Sequence, residues 1–270
     1  MHPLKENIRI IMIGNQLNRK QLPPFGYISH IKVDMDKLLS HCKKENLLDP
    51  NRFDDINVRV DPGNFVAGDL EKEKVSKLRD FVVLNEFNRE KFTAEDESRL
   101  QGEKYRQLYF TEFDISKKSK HISSKQTNIF GRSRRLDPSS KDYIPEADEH
   151  NYGVRNSLVK GEVEKILNKF KAPLGRVRFT YLEPGFSIKA HIDYDPSYVT
   201  RFHIPILTNE DCLMCTVKGN THFPADGKVY FFNTGIKHWV ENNSKFPRIH
   251  LIIDVHDQRD LVNLTEINSI

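Results

Sequence analysis

The sequence predicts a mainly β fold with flanking helices, and two kinds of pattern indicate it. Apolar and polar side chains alternate over residues 176–182, 201–206 and 248–255, as half-buried strands require. Over residues 35–48 and 156–171, apolar side chains recur at the period of an amphipathic helix instead. A chain of 270 residues can hold one large β domain with appendages.

The organisation along the chain favours one compact unit. We predict that residues 1–150 form an N-terminal α/β extension packed on a core, and that residues 151–270 form that core. No internal repeat and no glycine-rich phosphate loop is visible. The further elements that we predict in the extension are strands at 7–14, 26–34 and 105–113 and a helix at 69–90.

A basic loop is predicted near residues 115–145, where lysines and arginines are interleaved with serine, glycine and proline. Such a segment is either a solvated loop or a lid whose arginines recognise a carboxylate or phosphate of a substrate. Its cationic residues are Lys117, Lys118, Lys120, Lys125, Arg132, Arg134, Arg135 and Lys141.

Three residues have the identities and spacing of a mononuclear metal site. His191 and Asp193 are two positions apart, so on a strand both side chains lie on one face. His238 follows 45 residues after Asp193 and can approach from a second strand. Two imidazoles and one carboxylate leave half of an octahedron open, which non-haem Fe(II) oxygenases use for a co-substrate and dioxygen. We therefore predict His191, Asp193 and His238 to be catalytic iron ligands.

Cationic residues on the predicted strands suggest an anionic co-substrate. Arg248 lies ten residues past His238, and Arg201 shares one strand face with His203. Positive charge on an inward face is costly unless an anion pairs with it. A small dicarboxylate such as 2-oxoglutarate would supply that anion. We predict that Arg248, Arg201 and His203 bind it, with a structural ion pair as the alternative for Arg201 and His203.

Residues 176–256, about a third of the chain, resemble the aspartyl/asparaginyl β-hydroxylase-like branch of the 2-oxoglutarate/Fe(II) dioxygenases. Within that branch they are similar to the bacterial free L-proline hydroxylases. The vertebrate-type hydroxylases of the branch lack the acidic ligand, whereas this chain has Asp193. The stretches that carry the resemblance are Leu-Glu-Pro-Gly at 182–185, His-Ile-Asp at 191–193, Arg-Phe-His-Ile-Pro-Ile-Leu-Thr-Asn at 201–209, Gly-Lys-Val-Tyr-Phe-Phe-Asn at 227–233, His-Trp-Val-Glu-Asn at 238–242 and Arg-Ile-His-Leu-Ile-Ile-Asp at 248–254.

This resemblance implies a double-stranded β-helix (jelly-roll, cupin-like) core with iron at one mouth. It implies that Arg248 holds the distal carboxylate of 2-oxoglutarate and that Arg201 and His203 lie near its other end. The reaction implied is hydroxylation of an unactivated C–H bond with O₂, which releases succinate and CO₂, with ascorbate as a candidate reductant. We expect the substrate to be an amino acid, either free or as a side chain in a peptide.

Two other functions have to be weighed. Nucleic-acid dealkylating oxygenases share the His-x-Asp…His pattern but typically carry a second arginine six residues after the first, where this chain has Asp254. Cupin-like metal proteins that are not oxygenases usually offer three histidines and a glutamate at a different spacing, and they do not need Arg248. Both functions are therefore disfavoured.

Composition gives the remaining expectations. We expect no membrane association, because no apolar run is long enough to span a bilayer, and the start of the chain lacks a signal-peptide core. Three cysteines are an odd count without a disulfide framework, which suits a reducing cytoplasm. A net charge of only +4, with 30% charged residues of both signs, disfavours a nucleic-acid partner.

Overall fold

The larger of two facing β-sheets contains the central strands of the fold. The computed structural model describes residues 16–55, 104–117 and 148–267. Four core strands lie side by side in the larger sheet in the order β11-β8-β13-β6, and all their pairings are antiparallel. These are β6 (Leu174–Leu182), β8 (Thr200–Leu207), β11 (Lys228–Phe232) and β13 (Arg248–Val255).

The smaller sheet supplies the other four core strands, in the order β10-β9-β12-β7. Strands that follow one another along the chain repeatedly cross from one sheet to the other, which is the interleaving of a jelly roll. The predicted double-stranded β-helix core is therefore confirmed. The strands of this sheet are β7 (Ser187–His191), β9 (Cys212–Thr216), β10 (Gly219–His222) and β12 (His238–Asn242).

Strands from the first half of the chain extend the larger sheet to eight. On one side β1 (Phe25–Lys32) pairs with β11 and with the late strand β14 (Leu264–Glu266). On the other side β3 (Tyr105–Tyr109) pairs with β6, and β2 (Asp54–Asp55) pairs with β3. A separate pair joins β4 (Thr111–Phe113) to β5 (Tyr152–Arg155). The division of the chain near residue 150 stays a prediction, although strands from both sides of it share one sheet.

Two short helices cover the outer face of the larger sheet. Helix α1 (Met35–Lys44) begins where the Asp34 side chain accepts a hydrogen bond from the backbone N–H of Lys37. Helix α2 (Gly161–Leu167) is shorter than the segment 156–171 that its periodicity predicts. Its start is delayed because the Asn156 side chain accepts a hydrogen bond from the backbone N–H of Leu158, which forms a turn in place of the first helical turn.

The two faces of the larger sheet differ in chemistry. Its outer face and the helices bury one continuous apolar cluster, which includes Phe179, Phe202, Leu251 and Ile253. Its inner face, the one that faces the smaller sheet, combines an aromatic patch with charged side chains. Strand alternation assigns each residue to one face or the other. The inner-face polar residues of β6, β8 and β13 are Arg176, Arg178, Thr180, Arg201, His203, Arg248, His250 and Asp254.

Some of the elements predicted for the first half of the chain can be compared with the structure, and others lie outside the described residues. The strand predicted at 26–34 is β1, and the one at 105–113 is split into β3 and β4. The strand at 7–14, the helix at 69–90 and nearly all of the basic loop lie outside the described residues. Within the part of the chain that the structure describes, no helix is long and apolar enough to cross a membrane.

The turn before β11 gives a stability prediction. Gly227 has a φ of +80°, and an added Cβ would lie 2.3 Å from the carbonyl oxygen of Val33. Gly185 also has a positive φ of +67°, but an added Cβ there would meet nothing within 4 Å. We expect Gly227→Ala to lower the free energy of unfolding by about 1–3 kcal/mol more than Gly185→Ala, because only Gly227→Ala adds a clash to the backbone strain. Urea denaturation of both variants measures this difference, and equal losses would contradict it.

Candidate metal centre

A cross-strand pair brings the two predicted histidine ligands together. His191 ends β7 and His238 begins β12, and these two residues lie directly opposite each other in the antiparallel pairing. Their ring centroids are 4.2 Å apart. Asp193 follows two residues later and is fixed by its backbone N–H, which donates to the carbonyl of Thr234 at 2.9 Å.

The three side chains converge on one point. Asp193 Oδ1 lies 3.6 Å from His191 Nε2, and Asp193 Oδ2 lies 3.8 Å from His238 Nε2. One potential ligand atom from each residue lies within 4.8 Å of the other two, and the described residues contain no other such cluster. The structure thus brings together the set that the sequence predicted.

Backbone carbonyls orient both imidazoles. His191 Nδ1 is 2.6 Å from the carbonyl oxygen of Lys189, and His238 Nδ1 is 2.9 Å from that of Ile236. A carbonyl only accepts, so each Nδ1 carries the proton and donates it. Each Nε2 therefore presents its lone pair to the shared point, which is how histidine ligands are usually held.

The protonation states suit a divalent transition metal. Burial lowers the pKa of His238 to about 4, so this imidazole is neutral near pH 7. Burial raises the pKa of Asp193, but Arg201 and then the two histidines outweigh this effect, and the net pKa is lowered. Two imidazole nitrogens and one carboxylate form the 2-His-1-carboxylate ligand set of non-haem Fe(II). The His191 side chain is 42% exposed and that of His238 only 3%, so the site opens at the barrel mouth.

Arg201 lies beside this site with partners that differ from the expected co-substrate. Its Nη1 donates to Asp193, and its Nε donates to Asp254 at 2.7 Å. Asp254 also accepts from Arg178 at 2.8 Å. Burial raises the pKa of Asp254, but Arg201 and Arg178 reverse the effect and hold the pKa well below its usual value. Arg201 thus makes the ion pair that was its alternative assignment and positions Asp193, so its contact with the co-substrate stays a prediction.

Arg178 and the buried role of Asp254 were missed by the sequence reasoning. A signal was present, because both residues fall on the inward positions of their alternating strands. A guanidinium and a carboxylate on the same buried face of neighbouring strands indicate an ion pair.

Arg248 lies at the opposite end of β13 from Asp254 and is 1% exposed. Its guanidinium contacts His250 and the sulfur of Met214, and within the described ranges no carboxylate contacts it. Burial lowers the pKa of Arg248 to about 10, because no nearby anion compensates for the lost hydration. Its charge therefore lacks a partner inside the barrel, as the sequence predicted for a residue that binds a carboxylate.

His203 presents a second unsatisfied group on the same inner face. It is 2% exposed, and its Nε2 has no hydrogen-bond partner among the described residues. Burial, followed by the charge of Arg248, holds its pKa well below the ordinary histidine value. Its ring packs 5.8 Å from the Phe232 ring, which in turn lies 5.1 Å from the ring of His238. A continuous wall thus connects the metal site with the interior where Arg248 lies.

Comparison with known proteins agrees with this geometry. Residues 148–258, less than half of the chain, match the aspartyl/asparaginyl beta-hydroxylase family. This match supports an enzyme with hydroxylase chemistry. No curated protein matches the chain.

Solved structures give partial likenesses. A 2OG-Fe(II) oxygenase family oxidoreductase from Burkholderia pseudomallei is 11% identical with a TM-score of 0.31, and the match covers 57% of this chain and 68% of that one. A cupin domain from Bordetella pertussis is 23% identical with a TM-score of 0.25, over 30% of this chain and 79% of the other. A predicted oxalate decarboxylase from Thermotoga maritima is 19% identical with a TM-score of 0.26, over 34% and 72%.

The metal site gives a binding prediction. We expect His191→Ala to lower the affinity for Mn(II), a redox-stable substitute for Fe(II), by at least about tenfold, because one of three protein ligands is lost. The fold should persist, because the His191 side chain is 42% exposed and fills no core space. Titration calorimetry and thermal melts measure both quantities. His41→Ala, on helix α1, is the control, and unchanged Mn(II) affinity in His191→Ala would contradict the site.

Proposed function

We propose that this protein is an Fe(II)- and 2-oxoglutarate-dependent dioxygenase that hydroxylates an unactivated C–H bond of an amino acid, either free or within a peptide. The observation that carries the proposal is a pair of incomplete sites on one barrel. A three-ligand site that leaves coordination positions open lies at the mouth. A buried arginine, Arg248, without a carboxylate partner among the described residues lies on the inner face.

Fe(II) fits the first site. His191, Asp193 and His238 would hold the metal through two nitrogens and one oxygen, and Arg201 would keep Asp193 aimed at it. Bound Fe(II) and 2-oxoglutarate would supply the O₂-dependent oxidising chemistry, with release of succinate and CO₂. The protein's contribution is to fix the ligands and to provide a largely aromatic patch on the inner face of the barrel beside them.

A small dicarboxylate fits the second site. Arg248 offers a buried charge, and charge-assisted hydrogen bonds to a carboxylate contribute roughly 1.5–3 kcal/mol each. His203 Nε2 is available for a polar contact with a ligand that extends from the metal site towards Arg248. A ligand with a chelating group at one end and a carboxylate at the other would satisfy both sites together, which favours 2-oxoglutarate over a monocarboxylate.

The substrate class rests on the family match and on the resemblance of the motifs. The matched family is described as hydroxylating aspartyl and asparaginyl groups. We propose an amino-acid side chain in general, and a proline-like free amino acid as the narrower candidate, because Asp193 supplies the acidic ligand that this chain shares with free proline hydroxylases.

Surrounding conditions complete the proposal. We propose a cytoplasmic location with ascorbate as a reductant that keeps the iron ferrous. The three cysteines, all in the described ranges, are buried and free, as they would be in a reducing compartment. Nucleic acid remains disfavoured as a substrate, since position 254, where the dealkylating enzymes carry a second arginine, holds an aspartate buried between Arg178 and Arg201.

The assay that tests the function is succinate release from 2-oxoglutarate with Fe(II) and ascorbate, in the presence of free amino acids and short peptides. We expect succinate that rises with one member of the panel and disappears in His191→Ala, because turnover needs the metal. Mass spectrometry of that panel member should show one added oxygen. Protein that binds Mn(II) but neither binds nor consumes 2-oxoglutarate would contradict the proposal and favour a cupin-like metal protein.

Arg248 gives a quantitative prediction for the co-substrate. We expect Arg248→Met to raise the Kd for 2-oxoglutarate by about 10- to 100-fold, the equivalent of roughly 1.5–3 kcal/mol, with Mn(II) affinity unchanged. Arg106→Met is the matched control, because that guanidinium stacks 4.5 Å over the Tyr181 ring on the outer face. Calorimetry on Mn(II)-loaded protein measures each Kd. An unaltered Kd in Arg248→Met would assign the carboxylate to another residue.

A further inference from the structure

His250 is a buried inner-face residue that no step of the proposed function uses. It lies two positions after Arg248 on β13 and is 1% exposed. Because side chains two positions apart share a strand face, His250 and Arg248 stand side by side inside the barrel. A buried histidine at this position either fills space or acts on its neighbour.

The contacts show that His250 acts on its neighbour. Arg248 Nη2 donates to His250 Nδ1 at 2.8 Å, and Arg248 Nε lies 3.2 Å from His250 Nε2, the nitrogen that carries the ring proton when Nδ1 accepts. Both contacts use the Nε side of the guanidinium. On the remaining side, Nη1 has no hydrogen-bond partner among the described residues. The guanidinium is therefore fixed by one edge while another edge stays free for a ligand.

The chemistry of the contact preserves the charge of Arg248. Arginine only donates hydrogen bonds, so the ring nitrogen that it approaches must accept, which requires a neutral imidazole. Burial, followed by the charge of Arg248, keeps the pKa of His250 well below the ordinary value. A carboxylate in the same place would orient the guanidinium equally well but would neutralise it.

Among the described residues, no carboxylate acts on Arg248 or His250. The other side chains that surround the guanidinium and His250 are Met214, Tyr105, Cys212, His203 and His222, none of which is a carboxylate. The contrast lies on the same strand, where Asp254 accepts hydrogen bonds from Arg178 and Arg201, and Arg201 also donates to Asp193. Among the described inner-face arginines, Arg176, Arg178 and Arg201 each contact a carboxylate, and only Arg248, which is held by His250, contacts none.

We propose that His250 is a positioning residue that holds the guanidinium of Arg248 by its Nε edge and leaves the charge and Nη1 of Arg248 for the distal carboxylate of the co-substrate. The inference rests on the proposed function, because the ligand is the same 2-oxoglutarate. It adds the reason why a buried arginine in this barrel is both rigid and available.

Three substitutions at position 250 test this role on Mn(II)-loaded protein under anaerobic conditions. His250→Gln keeps a neutral acceptor, His250→Leu removes the acceptor at similar volume, and His250→Glu places a carboxylate beside Arg248. His256→Leu is the control, because His256 follows β13 and packs 4.8 Å from the ring of His150 instead. The Kd for 2-oxoglutarate, the Kd for Mn(II) and the melting temperature are measured for each protein.

We expect the Kd for 2-oxoglutarate to rise about tenfold in His250→Leu, because the freed guanidinium loses its orientation. We expect a rise of about a hundredfold in His250→Glu, where an internal ion pair competes with the ligand. His250→Gln should stay within about threefold of the wild type, since a neutral acceptor replaces the imidazole. The Kd for Mn(II) should be unchanged in all three, which separates a positioning role from general damage to the fold.

The outcomes separate this inference from the proposed function. Wild-type protein that binds Mn(II) but no 2-oxoglutarate would overturn both. Wild-type protein that binds 2-oxoglutarate, with the same Kd in folded His250→Glu, would leave the function standing and overturn the role of His250. If His250→Leu fails to fold, the comparison of His250→Gln with His250→Glu decides, because only the glutamate can neutralise Arg248.

Discussion

The candidate site depends on how the buried arginines inside the barrel are paired: most contact a carboxylate, and Arg248 contacts none among the described residues. Four arginines of β6, β8 and β13 point to the inner face: Glu149 pairs with Arg176, and Asp254 bridges Arg178 and Arg201. Arg201 connects this ion-pair network to the candidate metal site, because it also donates a hydrogen bond to Asp193. A buried cation is stable only with a partner. The proposed function assigns an external carboxylate to the unpaired charge of Arg248.

The fold can tolerate this arrangement because the two faces of the larger sheet have different compositions. The outer face packs against α1 and α2 in a continuous apolar cluster, which stabilises the sheet without help from the inner face. The inner face can then carry arginines, histidines and an aromatic patch whose arrangement serves ligand binding. The smaller sheet closes the barrel over them and contributes both histidine ligands from adjacent strands, β7 and β12.

Much of the core and the metal site could be predicted from the chain. Alternation at 248–255 predicted β13 and its inward residues, and the spacing of His191, Asp193 and His238 predicted a cluster that the structure brings together. Prediction failed where a local polar contact overrode periodicity, as at Asn156, whose turn delays the start of α2. It was also incomplete for Arg201, because the choice between an ion pair and a ligand contact depends on where Asp254 lies in space.

By itself the sequence determined the chemistry of each position: which residues alternate, which carry charge and which can bind a metal. These properties belong to single residues and to their spacing, so they are readable without a fold. Only the tertiary structure decided the pairing of those groups. Apart from His250, which lies on the same strand as Arg248, the partners of Arg201, Asp254 and Arg248 lie on other segments of the barrel. Strand register therefore sets which charged groups meet. In that arrangement Arg248 lies beside a neutral imidazole and not beside a carboxylate, which is why its charge stays unpaired among the described residues.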